Sequence, residues 1–156
     1  MSDVPGTTRD PVDSLVKRDG VPYLFIDTAG IRRKSRIFQR IERFSVLMSF
    51  KSIDRSDITL LMLDGVEGPT DQDAKVAGFI HEKGKGVVIL VNKWDLVTKD
   101  EKTAKDYAER LRENLVQIAY APIVFTSAVT GKNIHQIFSA IRTVLTERNK
   151  RIATGE

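Results

Sequence analysis

The sequence predicts an α/β domain with a mostly parallel sheet covered by helices on both faces, and three observations carry that reading. The run Val87-Val88-Ile89-Leu90-Val91 is too short for a helix and too apolar for an exposed edge, so it reads as a strand buried on both faces. It ends abruptly in Asn92-Lys93-Trp94-Asp95, and polar turns also close the apolar runs that end at Ile26, Leu63 and Phe125. After an initial hairpin, strand and helix signals alternate strictly, which favours parallel strands joined by helical crossovers. In such a sheet ligands gather beyond the C-terminal ends of the strands, so the site is expected along one edge.

Taken in order, residues 1–10 are turn formers and hydroxyls without periodicity and should form a loop. Residues 12–17 and 21–26 are two short apolar-rich runs separated by Arg18-Asp19-Gly20, a hairpin signal because Asp-Gly suits a turn needing positive φ. The second run closes on Asp27-Thr28-Ala29-Gly30. From residue 39 to about 54 the pattern is helical, with Ile41, Phe44, Leu47 and Met48 on one face and Val46, Phe50 and Ile53 beside it. Residues 58–63 read as a buried strand ended by Asp64-Gly65. Thr70-Asp71-Gln72-Asp73 offers a cap and an acidic first turn to a helix through Glu82, with Gly84 and Gly86 marking its end. The central strand follows, then a polar loop through Glu101. Ala104, Tyr107, Ala108, Leu111, Leu115 and Ile118 share one helical stripe, read as core with no cofactor role for Tyr107. The last strand is expected at residues 122–125, running into Thr126-Ser127-Ala128. A final helix carries Ile134, Ile137, Phe138, Ile141 and Leu145, and residues 149–156 read as a frayed end or linker.

A chain of 156 residues suits one domain of ordinary size. Cysteine is absent, which excludes a disulfide framework and thiolate chemistry and is compatible with a cytosolic setting. His81 and His135 lack zinc-site spacing. With neither a secretory signal pattern nor a membrane-length apolar run, a soluble protein with no membrane partner is expected. The formal charge of +4 permits an anionic partner without requiring one. Its distribution says more: Arg32, Arg33, Lys34, Arg36, Arg40 and Arg43 cluster after Gly30, and Arg148, Lys150 and Arg151 lie near the C-terminus. Such runs are usually solvated faces, and RNA contact is the sharper alternative.

The chemistry concentrates in Asn92-Lys93-Trp94-Asp95. An Asp carboxylate accepts two hydrogen bonds in one plane, an Asn amide donates and accepts, and a Lys stem can lie along a flat ring. Guanine offers matching donors, and the tetrapeptide resembles the Asn-Lys-x-Asp guanine-specificity motif of regulatory and translation GTPases. With Gly6-Thr7-Thr8, Asp27-Thr28-Ala29-Gly30 and Thr126-Ser127-Ala128 it stands in the order of a P-loop-NTPase-like (Ras-like) G domain. The wording of residues 3–10 and 27–34 resembles more narrowly the second G domain of the Der (EngA) family, bacterial GTPases with two tandem G domains and a KH-like domain that act in large ribosomal subunit assembly. The resemblance covers essentially the whole chain. It implies a truncated G domain over residues 1–148 and, in residues 149–156, a linker or the start of the connection to the KH-like domain. The partners it implies are guanine nucleotide, the large subunit and its ribosomal RNA through the full-length protein, and the other domains of that protein.

Carried over by motif, the resemblance implies that Thr8 meets Mg²⁺ and the γ-phosphate of GTP, that Asp27 holds Mg²⁺ through water, and that the Gly30 amide senses the γ-phosphate within the Asp27-Thr28-Ala29-Gly30 turn. Asn92 and Asp95 would read guanine, Lys93 would lie over the ring, and Ser127 with Ala128 would support the base from the other side. Ile31 stands where Ras-like proteins have the water-orienting glutamine, and an aliphatic side chain cannot do that work. The resemblance is therefore to the class in which K⁺ supplies positive charge near the phosphates, held here by Thr7 and the carbonyls of Ser2 and Val4. One departure is large: the 156 residues contain no Gly-x-x-x-x-Gly-Lys-Ser/Thr phosphate loop. In the family that segment and its strand lie upstream of Ser2, the strand in mid-sheet between those ending at Asp27 and Asp64. The expectation is a first strand and P-loop absent from the chain, with phosphate affinity severely reduced and the 156 residues deficient in nucleotide binding. The gap would be closed by the flanking strands, a neighbouring molecule or another polypeptide. Two alternatives stand beside this reading: a non-catalytic module contacting ribosomal RNA or partner domains, and the G domain of an MnmE-type tRNA-modifying GTPase, which shares Gly-Thr-Thr-Arg-Asp and Asp-Thr-Ala-Gly.

Overall fold

Asp19 and Gly20 close the first hairpin because both adopt positive φ, 51° and 78°, which gives the turn the twist that two antiparallel strands require. They join β1 (Ser14–Arg18) to β2 (Val21–Phe25), with Arg18 opposite Val21 and Leu15 opposite Leu24. The computed structural model describes residues 13–26 and 50–153, with side chains to residue 150. Residues 1–12 and 27–49, and with them the first loop, the Asp27–Gly30 turn, the basic run and most of the first helix, lie outside the described residues. Residues 50–55 are helical, in keeping with the end of that helix, and Ile53 is buried. The chain divides into two units, residues 1–56 and 57–156. In the first, Arg55 Nη2 donates to Asp13 Oδ2 at 2.7 Å.

The second unit is built on a three-stranded parallel sheet of order β3-β4-β5, with β3 at Ile58–Asp64, β4 at Gly86–Asn92 and β5 at Ile123–Phe125. Val87 to Val91 are each no more than 1% exposed, so both faces of β4 are covered, as their unbroken aliphatic run requires. The described strands thus form two separate sheets, and β3 is the edge of the parallel one.

Three helices cover this sheet's connections: α1 (Asp71–Glu82), α2 (Thr103–Asn114) and α3 (Ile134–Ala153). Thr70 caps α1 through a reciprocal box: its Oγ1 accepts from the Asp73 amide at 3.3 Å while Asp73 Oδ2 accepts from the Thr70 amide at 2.8 Å. Gly84, at φ 63°, ends the helix. Gly86 lets α3 approach the sheet, since a Cβ there would lie 2.8 Å from Val144 Cγ1. Among the described residues no helix is long and apolar enough to cross a membrane.

The structure corrects two readings. Residues 104–118 are not one helix: α2 stops at Asn114, Leu115 takes φ −112° and ψ 55°, and a 3-10 turn spans Val116–Ile118. The break lets the chain turn back toward β5 within a few residues while Leu115 and Ile118 both stay fully buried. The polar turn that closes β4 contains a 3-10 turn at Trp94–Leu96. Residues 149–153 are not frayed but continue α3. Arg148 Nη1 ties that helix to the Asp57 carbonyl at 2.7 Å, and no Gly or Pro interrupts the run before Gly155.

Candidate functional site

The parallel register brings the polar strand ends level: Asp64 is the partner of Asn92, and Val91 of Phe125. At that edge Asn92 is held from both sides. Its backbone carbonyl accepts from the Gly65 amide at 2.8 Å and its Oδ1 from the Ala128 amide at 3.0 Å. Lys93 then takes a left-handed conformation, φ 58° and ψ 29°, which swings the chain out of β4 into the 3-10 turn. Trp94 anchors that turn. Its amide donates to the Thr126 carbonyl at 3.0 Å, and its buried indole lies 4.3 Å from the Phe125 ring centroid and meets Tyr107 edge-on at 5.3 Å. Asp95 is left exposed on the turn.

The second loop is shaped by its own hydrogen bonds. Ser127 is fully buried, its Oγ accepting from the Thr130 amide at 3.2 Å and its carbonyl from Gly131 at 2.9 Å. Asn133, at φ 59°, sends Nδ2 to the Phe125 carbonyl at 2.8 Å. Ala128 is thereby exposed at the tip, facing outward with its amide on Asn92.

Lys93 and Asp64 form an ion pair at this edge. Lys93 Nζ donates to Asp64 Oδ2 at 2.6 Å, and Asp64 Oδ1 accepts from the amides of Val66 and Glu67 at 2.9 and 3.2 Å. The hydrogen bond from Lys93 holds the Asp64 carboxyl below its ordinary value, and the same bond raises the Lys93 ammonium. Burial pushes the Tyr107 phenol up, and its hydroxyl has no hydrogen-bond partner among the described residues.

The structure therefore brings together Asn92, Lys93, Asp95, Ser127 and Ala128. Ser2, Val4, Thr7, Thr8, Asp27, Thr28, Ala29 and Gly30 lie outside the described residues. Sequence reasoning missed Asp64, Gly65 and Trp94 as parts of the site. The signal was available for the first two, because Asp64-Gly65 closes a parallel strand at the same edge as Asn92. Among the described residues no cluster of three or more His, Cys, Asp or Glu could hold a metal. Amide, carboxylate and ammonium groups on rigid short turns suit a planar ligand with a hydrogen-bonding edge.

The chain is similar to several known proteins. The model of one family, the 50S ribosome-binding GTPases, matches residues 1–93, a stretch that includes Asp27-Thr28-Ala29-Gly30 and ends on Lys93. The chain belongs to the 50S ribosome-binding GTPase family. Within that GTPase family it is 56% identical to GTPase Der of Caldanaerobacter subterraneus subsp. tengcongensis over 155 residues, which are 99% of this chain and 35% of that protein. GTPase Der of Moorella thermoacetica is 52% identical over the same proportions. The chain thus spans about a third of the length of the curated relatives it matches, the share expected of one G domain. Among solved structures, Era in complex with MgGDPNP and a segment of 16S ribosomal RNA superposes with a TM-score of 0.69 at 24% identity, covering 90% of this chain and 46% of Era. A probable GTP-binding protein engB gives 0.63 at 18% identity, covering 89% and 85%. These two likenesses show that the chain shares their α/β G-domain fold.

Proposed function

We propose that residues 1–148 belong to a guanine-nucleotide-binding, GTP-hydrolysing switch domain of a GTPase that acts in assembly of the large ribosomal subunit. The observation that carries the reading is the 3.0 Å bond from the Ala128 amide to Asn92 Oδ1, which locks the two base-facing loops to each other. With Trp94 pinned beneath, Asp95 offers a carboxylate to the ring's donors, Lys93 a stem along its face, and Ala128 a small apolar surface from the other side. Ser127, fully buried, acts by shaping that loop.

The phosphate end falls to residues 1–12 and 27–30. The Thr8 hydroxyl and the Asp27 carboxylate are hard oxygen donors of the kind Mg²⁺ takes, and the Gly30 amide can approach a γ-phosphate closely. Mg²⁺, when bound, neutralises phosphate charge. Thr7 with the carbonyls of Ser2 and Val4 would hold K⁺, which fits the presence of Ile31 in place of a polar side chain. The family description supports a ribosomal partner, with RNA reached through the longer protein and the basic run from Arg32 to Arg43 as contact surface. Because the 156 residues contain no phosphate loop, base contacts alone leave GDP weakly held.

The test is titration of a fluorescent guanine nucleotide, with Mg²⁺ and K⁺, into this chain and into one extended upstream through a phosphate-loop segment. Tight binding by the extended chain, competed by GDP and not by ADP, is the expected result. Equal competition by ADP would overturn the guanine reading. Equally tight binding by the shorter chain would show that other residues rebuild the phosphate site.

A further inference from the structure

We propose that Asp64 and Gly65, at the end of β3, position the base-reading residues of β4: Asp64 orients Lys93, and Gly65 fixes the height of Asn92. The inference rests on the guanine reading above and names a determinant on a strand that carries none of the ligand-facing residues. Two contacts support it independently. The Asp64 carboxylate is divided between two tasks, Oδ1 fixed by the amides of Val66 and Glu67 and Oδ2 on Lys93 Nζ at 2.6 Å, so the turn that follows β3 aims the carboxylate at the lysine. Gly65 lies against the Asn92 carbonyl, its amide donating at 2.8 Å, and a Cβ there would stand 2.7 Å from that oxygen. Any other residue at position 65 has to push the Asn92 backbone away.

The pair suits orientation better than stability. Lys93 is about half exposed, and solvent screens an ion pair there, so the bond adds little to folding. A long, flexible lysine stem held at one end by a fixed carboxylate has fewer rotamers to lose when a ring is laid along it, and preorganisation of that kind appears in ligand affinity. Asp64 is thus a positioning residue that acts through Lys93.

The experiment uses the extended chain in which nucleotide binding is measured, with Asp64→Asn as the informative variant. Asparagine keeps an oxygen for the Val66 and Glu67 amides and replaces the charged acceptor that faces Lys93 with a neutral NH2. The expected result is an increase of about tenfold in the dissociation constant for fluorescent GDP, with the melting temperature moved by no more than about 2 °C. In a Lys93→Met background the same substitution should change nothing further, the non-additivity of residues that act as a pair. Gly65→Ala should weaken GDP in both backgrounds, since it acts on Asn92. An unchanged dissociation constant for Asp64→Asn, or an equal loss in the Lys93→Met background, would overturn the proposal and assign Asp64 to the turn alone. Failure of the guanine reading is told apart by two controls. In that case the unsubstituted chain would bind GDP no better than ADP, while carbon-13 titration of the Asp64 carboxyl would still respond to Lys93→Met. A chain that prefers GDP but is indifferent to Asp64→Asn would sink this inference alone.

Discussion

Lys93 occupies a conformation that side chains with a Cβ adopt reluctantly, and its surroundings explain why it stays there. The preceding Asn92 is bonded through its carbonyl and its side chain, the following Trp94 is bonded to Thr126 and buried, and the ammonium is bonded to Asp64, so the left-handed residue is determined from three directions. The Asp64–Lys93 pair also sets a pH window. Because the folded Asp64 value lies below its ordinary 3.8, the pair's contribution is present above that value and lost as pH falls through the folded value. Because the folded Lys93 value lies above its ordinary 10.5, the contribution is complete below that value and disappears as pH rises through the folded one. Urea unfolding midpoints of wild type and Asp64→Asn should therefore differ by a small, constant amount from about pH 5 to 9 and converge below 3.8. A difference that persists unchanged at pH 3 would mean that the carboxylate's charge is not what the lysine meets.

At the scale of elements, local chemistry and tertiary demand can be separated. The hairpin and α1 follow local rules: Asp19-Gly20 supplies positive φ, and Thr70 with Asp73 satisfies amide groups that no helix can satisfy for itself. Replacing Thr70 by Ala should cost about 1 kcal/mol, read as a lower urea midpoint with an unchanged slope. No change would show water replacing the threonine oxygen. By contrast, the end of α2 follows no local rule. Leu115 and Ile118 continue the apolar stripe of a helix, yet the chain leaves helical geometry at Leu115 so that the return to β5 fits, and the apolar Val116 is left 69% exposed. The extension of α3 through Ala153 runs the other way: a charged segment that reads as a loose tail stays helical once Arg148 is anchored to Asp57.

For the molecule as a whole, β4 is the axis of the second unit, since it pairs on both edges and is buried on both faces. Leu90→Ala should destabilise that unit by about 2–5 kcal/mol, because the cavity opens where packing is tightest, and amides of β4 should exchange most slowly in the native protein. A loss of well under 1 kcal/mol would show that the sheet relaxes around the missing side chain. How much of this was legible beforehand varies with the range of the cause. The aliphatic run at 87–91, the alternation of strands and helices, and the polar strand ends were all readable, because hydrophobic periodicity and turn residues act within a few positions of one another. So was the gathering of Asn92, Lys93 and Asp95 with Ser127 and Ala128 at one edge of the sheet. The sequence by itself determined which strand would be central and that an edge of polar turns would follow it. Only the tertiary structure decided that Asp64 grips Lys93, that Gly65 lies under Asn92, that Trp94 faces inward while Asp95 faces out, and that Ser127 is buried. These contacts join residues 27 to 36 positions apart, or turn on which side of a one-turn helix faces the core. Only the register between parallel strands, fixed by burial of β4 on both faces, brings such groups to the same height.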